Sequence, residues 1–262
     1  MAAISGIAVA VGVLNVLTSL TPLTSGAAGS ADEPAPVETD RVRYEARESD
    51  GDVAVDSSTF ENDGRLWGQV SRRNGSYRFH PLNGRVIYDR IRTATDPSFN
   101  PRSKPFSYGA RIKVQPDATW SHSEMAVIRH GDTDTPGGDY KLEIEKRKSG
   151  IVVAFCAIHD GDGGSSYVEG RGSLETLADG GWHRITCVRV DEDTVALVVD
   201  DHVVTKDLAE PMGAIRGNKD PLFIGCQPFA NRPELKFREQ FVGAMDDIHV
   251  TVDPSPLPAP TE

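Results

Sequence analysis

The stretch Leu177–Asp200, LADGGWHRITCVRVDEDTVALVVD, decides how the chain is read. Two short apolar runs are joined by Asp191-Glu192-Asp193, a turn too polar to bury. Thr186, Val188 and Val190 share one side of the first run, and Val195, Leu197 and Val199 one side of the second. Successive side chains of a strand point to opposite faces, so this period of two predicts half-buried antiparallel strands.

The same rhythm extends outward from the hairpin. Runs at 42–46, 77–79, 106–114, 124–130, 140–146, 151–158, 183–190, 194–199, 222–224 and 244–252 predict strands. Turn chemistry separates them: Asn62-Asp63-Gly64, Asn74-Gly75, Asn83-Gly84, Pro136-Gly137-Gly138 and Asp160-Gly161-Asp162-Gly163-Gly164. No segment holds a helical apolar period over about 12 residues. Many short strands with such turns predict an all-β sandwich or barrel. A chain of 262 residues can form one large domain of this kind.

Ordered motifs narrow the class. Asp179-Gly180-Gly181-Trp182-His183, a strand, a short turn, a second strand and Val199-Asp200-Asp201 resemble the signature hairpin of laminin G-like domains. These domains belong to the concanavalin A-like lectin/glucanase superfamily. Asp56-Ser57-Ser58 with Asn62-Asp63-Gly64 is similar to the family's first loop, and Gly138-Asp139-Tyr140-Lys141-Leu142 to the strand before the hairpin. Leu222-Phe223-Ile224-Gly225 and Phe241-Val242-Gly243-Ala244-Met245-Asp246-Asp247-Ile248 resemble the closing strands. The resemblance spans residues 42–252. It implies an antiparallel jelly-roll β-sandwich of the secreted bacterial type.

The flanks read differently. No Asp, Glu, Lys or Arg precedes Asp32, and the apolar stretch from Ile4 to Leu23 has a signal-like core at Ile7–Leu17. Residues 1–31 are therefore expected to be a signal peptide or an N-terminal membrane segment. That places the rest outside the cell, secreted or membrane-anchored, with this segment as its membrane link. Residues 32–41 are expected to be a linker, and the proline-rich residues 253–262 an extended tail.

Charge and cysteine content bound the chemistry. Thirty-nine acidic against 28 basic residues give a net charge of −11. No net positive field exists to draw in nucleic acid or another polyanion, which leaves neutral glycans or extracellular proteins as partners. In an exported protein, cysteines pair by default. A Cys156–Cys187 bridge is feasible if their strands are neighbours in the sheet, and the resemblance implies that pair, leaving Cys226 free. The alternative is three buried thiols. Closing a loop of about 30 residues contributes roughly 3 kcal/mol in the chain-entropy model.

For metals, the resemblance implies structural Ca2+ where the ends of the domain meet, with Asp56 and Asp246 as ligands. The competing reading is that both only cap turns. Asp160-Gly161-Asp162-Gly163 imitates an EF-hand start, but Arg171 stands at position twelve and no helices flank it. The histidines have no zinc spacing, and His183 is a structural member of the hairpin motif.

No catalytic residues emerge. Glu143 and Glu145 lack the middle Asp of the E-x-D-x-x-E strand found in glycosidases of this superfamily, and no G-x-S-x-G elbow is present. Trp67, Trp120 and Tyr167 are candidate sugar platforms, with packing as the competing reading. The sequence thus points to a secreted, non-catalytic module binding a carbohydrate or extracellular protein through sandwich-edge loops. A glycoside hydrolase or lyase, or a tethered structural surface protein, are the alternatives.

Overall fold

The structure is a computed structural model that describes residues 39–47, 51–83, 87–132, 135–169, 176–228, 237–255 and 257. The expected signal segment 1–31 lies outside them. All described residues belong to one unit, 36–262.

The strands in chain order are β1 (Thr39–Tyr44), β2 (Val53–Ala54), β3 (Gly64–Trp67), β4 (Ser71–Arg72), β5 (Tyr77–Phe79) and β6 (Arg90–Thr93). Then come β7 (Phe106–Lys113), β8 (Glu124–His130), β9 (Gly138–Lys146), β10 (Val152–Asp160), β11 (Ser165–Glu169) and β12 (His183–Arg189). The last are β13 (Thr194–Val199), β14 (His202–Asp207), β15 (Leu222–Ile224), β16 (Gln227–Pro228), β17 (Phe237–Arg238) and β18 (Gly243–Val252). One turn of 3-10 helix, Pro97–Phe99, is the helical element among the described residues.

Two eight-stranded antiparallel sheets form the sandwich. The first runs β14-β13-β12-β7-β18-β5-β4, with β1 also paired to β18; the second runs β11-β10-β9-β8-β15-β6-β3-β2. The jelly-roll expectation therefore holds. Pairing begins at Thr39, opposite Val252, so strand replaces linker over the last residues of the 32–41 segment.

Alternation builds the core. Phe106, Tyr108, Ala110 and Ile112 of β7 face Tyr140, Leu142 and Ile144 of β9, all fully buried. The rings of Tyr108 and Tyr140 lie 4.7 Å apart, and Phe106 meets Tyr140 at 5.2 Å. Burying such side chains contributes about 1.5–3 kcal/mol each. The Tyr108 hydroxyl donates to the Ala157 carbonyl at 3.0 Å, so its polar end is satisfied in the interior.

The central hairpin turns one of its two faces to the core. The core receives Ile185, Cys187 and Arg189, opposite Val199, Leu197 and Val195, and not the Thr186/Val188/Val190 side. Cys156 and Cys187 are disulfide-bonded with Cα atoms 6.0 Å apart, and Cys226 is free and buried. Their strands are not sheet neighbours, however. β10 belongs to the second sheet and β12 to the first, so the bond joins the sheets across the core.

Candidate functional site

At one end of the sandwich, the segment 208–221 crosses the strand ends and ties the other loops together. Arg102 and Ile215 exchange backbone hydrogen bonds of 3.0 and 3.1 Å. The Asn100 side chain donates to the Asn218 carbonyl at 2.9 Å and accepts from the Asn218 N–H at 3.1 Å. Arg216 N donates to Gly137 O at 2.8 Å, and Gly161 N to Ala214 O at 3.0 Å. Gly137 has φ +95°, and a Cβ there would lie 2.1 Å from the Arg216 carbonyl. The glycine of the expected Pro136-Gly137-Gly138 turn therefore serves a close backbone approach as well as a turn.

Two buried charges hold this end from beneath. The fully buried Arg189 guanidinium donates to the carbonyls of Met212 (2.7 Å), Gly213 (2.8 Å), Arg102 (3.2 Å) and Asp191 (3.2 Å). Asp160 accepts from Gly213 N at 2.7 Å, Gly164 N at 2.7 Å and Asp162 N at 2.9 Å. Burial works to raise the Asp160 pKa, but these N–H donors outweigh it and hold the carboxyl below its usual value. The segment that imitated an EF-hand is thus a closed turn bonded to its neighbour loop.

Above this scaffold lies an open groove of about 410 Å³, lined by Thr95, Pro97, Asn100, Arg102 and 216–219. Its exposed cations are Arg102, Arg216 and Lys219. Arg216 has one distant ion pair, 3.6 Å to the exposed Asp162. Arg102 has φ +62°, a conformation that disfavours side chains other than Asn, Asp or Gly. Sequence reading missed this groove.

A second charged group sits on the face of the second sheet turned away from the core. Arg129, 1% exposed, donates to Glu143 at 3.2 Å, to Asp132 at 2.5 Å and to Gly131 O at 2.9 Å. Lys141 lies 2.7 Å from the other Glu143 oxygen. Carboxylate oxygens of Glu124, Glu143 and Glu239 lie within 4.8 Å of one another. Burial, and then the nearby Glu143 charge, push Glu239 up to about 8. A glycosidase pair must flank a bond in open space. Glu143 is 2% exposed at its side chain and its oxygens are already taken by Lys141 and Arg129, so this group does not form such a site.

Glu239 carries a prediction for pH. Its folded pKa lies above the ordinary carboxyl value of 4.5, so the folded state holds a proton that the unfolded state has lost. Its contribution to stability is full below about 4.5 and falls as pH rises toward about 8. Glu239→Gln should flatten that fall and stabilise the protein at pH 8 and above. Melting curves between pH 4 and 9 would read it; parallel curves for both proteins would contradict it.

The expected calcium ligands have other roles. Asp56 accepts from Arg43 N (2.8 Å), Ser58 N (2.9 Å), Ser58 Oγ (2.7 Å) and Asn62 N (2.8 Å), which fills the acceptor sites of a carboxylate. Asp246 sits opposite Arg111 at the β18 bulge, and burial raises its pKa. The chain ends do meet here, but through arginine. Arg43 pairs with Asp247 at 2.5 Å, and Asp247 also binds Arg184 at 2.9 Å. An ion at Asp56 would have to displace its four donors, so Asp56 does not fit calcium.

The remaining expected sites resolve as follows. His183 is held between Asp200 (2.8 Å) and Asp179 (3.1 Å). Burial opposes its charge, yet these acceptors outweigh that and raise its pKa. Trp67 is edge-exposed, with the guanidinium groups of Arg90 and Arg65 over its ring at 4.7 and 5.0 Å. Trp120 packs against the core. The Tyr167 side chain lies outside the described residues.

Known proteins agree with this architecture. Residues 141–252 match the family model for the laminin G domain. Residues 141–252 are thus similar to a laminin G domain, and the sandwich has the fold that the sequence motifs indicated. Similar solved structures include the binding domain of Paraclostridial Mosquitocidal Protein 1, at 13% identity and TM-score 0.57, covering 81% of this chain and 48% of that one. The receptor binding domain of botulinum neurotoxin D matches at 12% identity and TM-score 0.57, covering 81% and 48%. The binding domain of Botulinum Neurotoxin DC in complex with SialylT matches at 8% identity and TM-score 0.54, covering 81% and 47%. At these identities the likeness shows the fold, and this chain spans about half of each neighbour.

Proposed function

We propose that the protein is an exported, non-catalytic binding module that recognises a carbohydrate through the loops tied together by segment 208–221. The observation that carries the reading is the groove over 95–102 and 216–219. Exposed polar side chains stand there on loops fixed by buried and part-buried hydrogen bonds, the usual way a rigid scaffold presents a binding surface. The disulfide supports an oxidising location. Neighbours of the same fold are receptor-binding domains, one of them solved with SialylT, which supports binding over turnover. Fold alone does not fix the ligand.

A glycan array probed with the full chain tests this. Retention of a defined set of glycans, with no reducing sugar released from the same set, is the expected result. Release of sugar would restore the hydrolase alternative. Retention of no glycan would favour an extracellular protein as ligand.

A further inference from the structure

The groove is more specific than a generic glycan surface, and its charge says how. The chain as a whole is acidic at −11, yet the groove lining contains Arg102, Arg216 and Lys219 and no Asp or Glu. The nearest carboxylates stand outside the lining: Asp162 meets Arg216 at 3.6 Å, Asp96 accepts from Ser98 N and Asp220 accepts from the Thr135 hydroxyl. Three cations gathered in one concave surface still act on a ligand at close range whatever the distant net charge, because screening removes charges beyond about 8–10 Å. The Arg102 and Lys219 side chains make no ion pair among the described residues, and the Arg216 pair with Asp162 is long and exposed. These cations are therefore not engaged in holding the fold together.

Their backbones, by contrast, are fixed. Arg102 is bridged to Ile215 in both directions, its carbonyl accepts from Arg189, and Arg216 N is bonded to Gly137. Arg102 also occupies a left-handed conformation in which glycine would be less strained. Strain of this kind persists where the surroundings over-determine it, and it is found at ligand clamps. The neutral part of the lining suits the rest of a sugar: Thr95 and the Gly217 backbone for hydroxyls, and exposed Pro97 for an apolar ring face. A groove of about 410 Å³ is of the size that holds a small oligosaccharide segment.

We infer that this groove recognises an acidic sugar, with Arg102, Arg216 and Lys219 engaging its carboxylate or sulfate group. The inference rests on the glycan-binding reading above. It replaces the expectation, drawn from net charge, that the partner is a neutral glycan.

The test is calorimetric titration of the full chain with sialyllactose, 6'-sulfolactose and lactose, and sedimentation with phosphatidylserine vesicles. Sialyllactose or sulfolactose should bind at least tenfold more tightly than lactose, and the preference between them identifies the acid. Arg102→Glu/Arg216→Glu should reduce that binding at least tenfold. The variant Arg73→Glu/Lys148→Glu changes net charge equally at exposed positions outside the groove lining and should leave binding within about twofold. Raising salt from 50 to 500 mM should weaken the acidic ligand and not lactose. Circular dichroism melts confirm that each variant folds. If lactose binds as well as the acidic sugars, the inference fails and glycan binding stands. Should no sugar bind, both fail, and retention on vesicles alone would assign the cations to a lipid surface. Equal losses in the two double variants would also overturn the groove as the site.

Discussion

Arg189→Ala is expected to lower stability by about 3–5 kcal/mol, the largest effect of any single substitution considered. Four carbonyls from three different loops converge on this guanidinium. Hydrogen bonds from a charged donor contribute about 1.5–3 kcal/mol each, and carbonyls left buried without a donor cost more than the lost bond. Truncation also leaves a cavity where a fully buried side chain stood. For a domain of this size the melting temperature should fall by about 10 °C. Arg189→Met separates the two causes, since it keeps the stem's packing and removes the donors. If Arg189→Met melts close to wild type, the hydrogen bonds are not what holds the loops. A loss of sugar binding larger than the loss of stability explains would tie Arg189 to positioning the groove.

Removing the Cys156–Cys187 bond should cost about 3.5 kcal/mol. The bond closes a loop of 31 residues, and the chain-entropy model gives that magnitude. It also joins the two sheets directly, so its loss should ease their separation as well as enlarge the unfolded ensemble. Chemical denaturation of the Cys156→Ala/Cys187→Ala variant beside wild type measures the cost. A difference below about 1 kcal/mol would mean that the packed core, and not the bond, holds the sheets together. Cys226 is no substitute partner, because burial pushes its thiol up to about 12 and keeps it protonated.

Apolar runs bounded by turn residues were legible whether or not they alternate. Tyr77–Phe79, Glu124–His130, Thr194–Val199 and Leu222–Ile224 stand where the sequence placed them. Strands such as Val53–Ala54 and Ser71–Arg72 are two residues long, too short to show any period. Arg90–Thr93 and His202–Asp207 mix charges with apolar residues, so composition hid them. Which face of the central hairpin points inward was not legible, for one reason. Arg189 occupies a core position, and a charged residue argues against its own face until its carbonyl partners are known. Three of those four partners lie on loops 23 to 87 positions away.

The disulfide pair was legible through family likeness, but its crossing between sheets was not, since sheet membership depends on topology. The bonding of Asp56 was not legible, for a local reason. A loop rich in Asp, Ser and Asn can satisfy its carboxylate with its own N–H and O–H donors, as Asp56 does. The groove had no signal to find. Asn100 and Asn218 are 118 positions apart, and neither flanking loop carries a motif. Net charge does not report the groove, because it averages over a surface on which the groove is locally basic.

The most direct measurement of the central claim is amide hydrogen exchange on the full chain with and without saturating sialyllactose. Binding at the loop end should slow exchange at residues 95–103, 135–138 and 212–219, and leave the outward face of the second sheet around Lys141 and Glu143 unchanged. Protection centred on that sheet face, or on the Trp67 edge, would contradict the account.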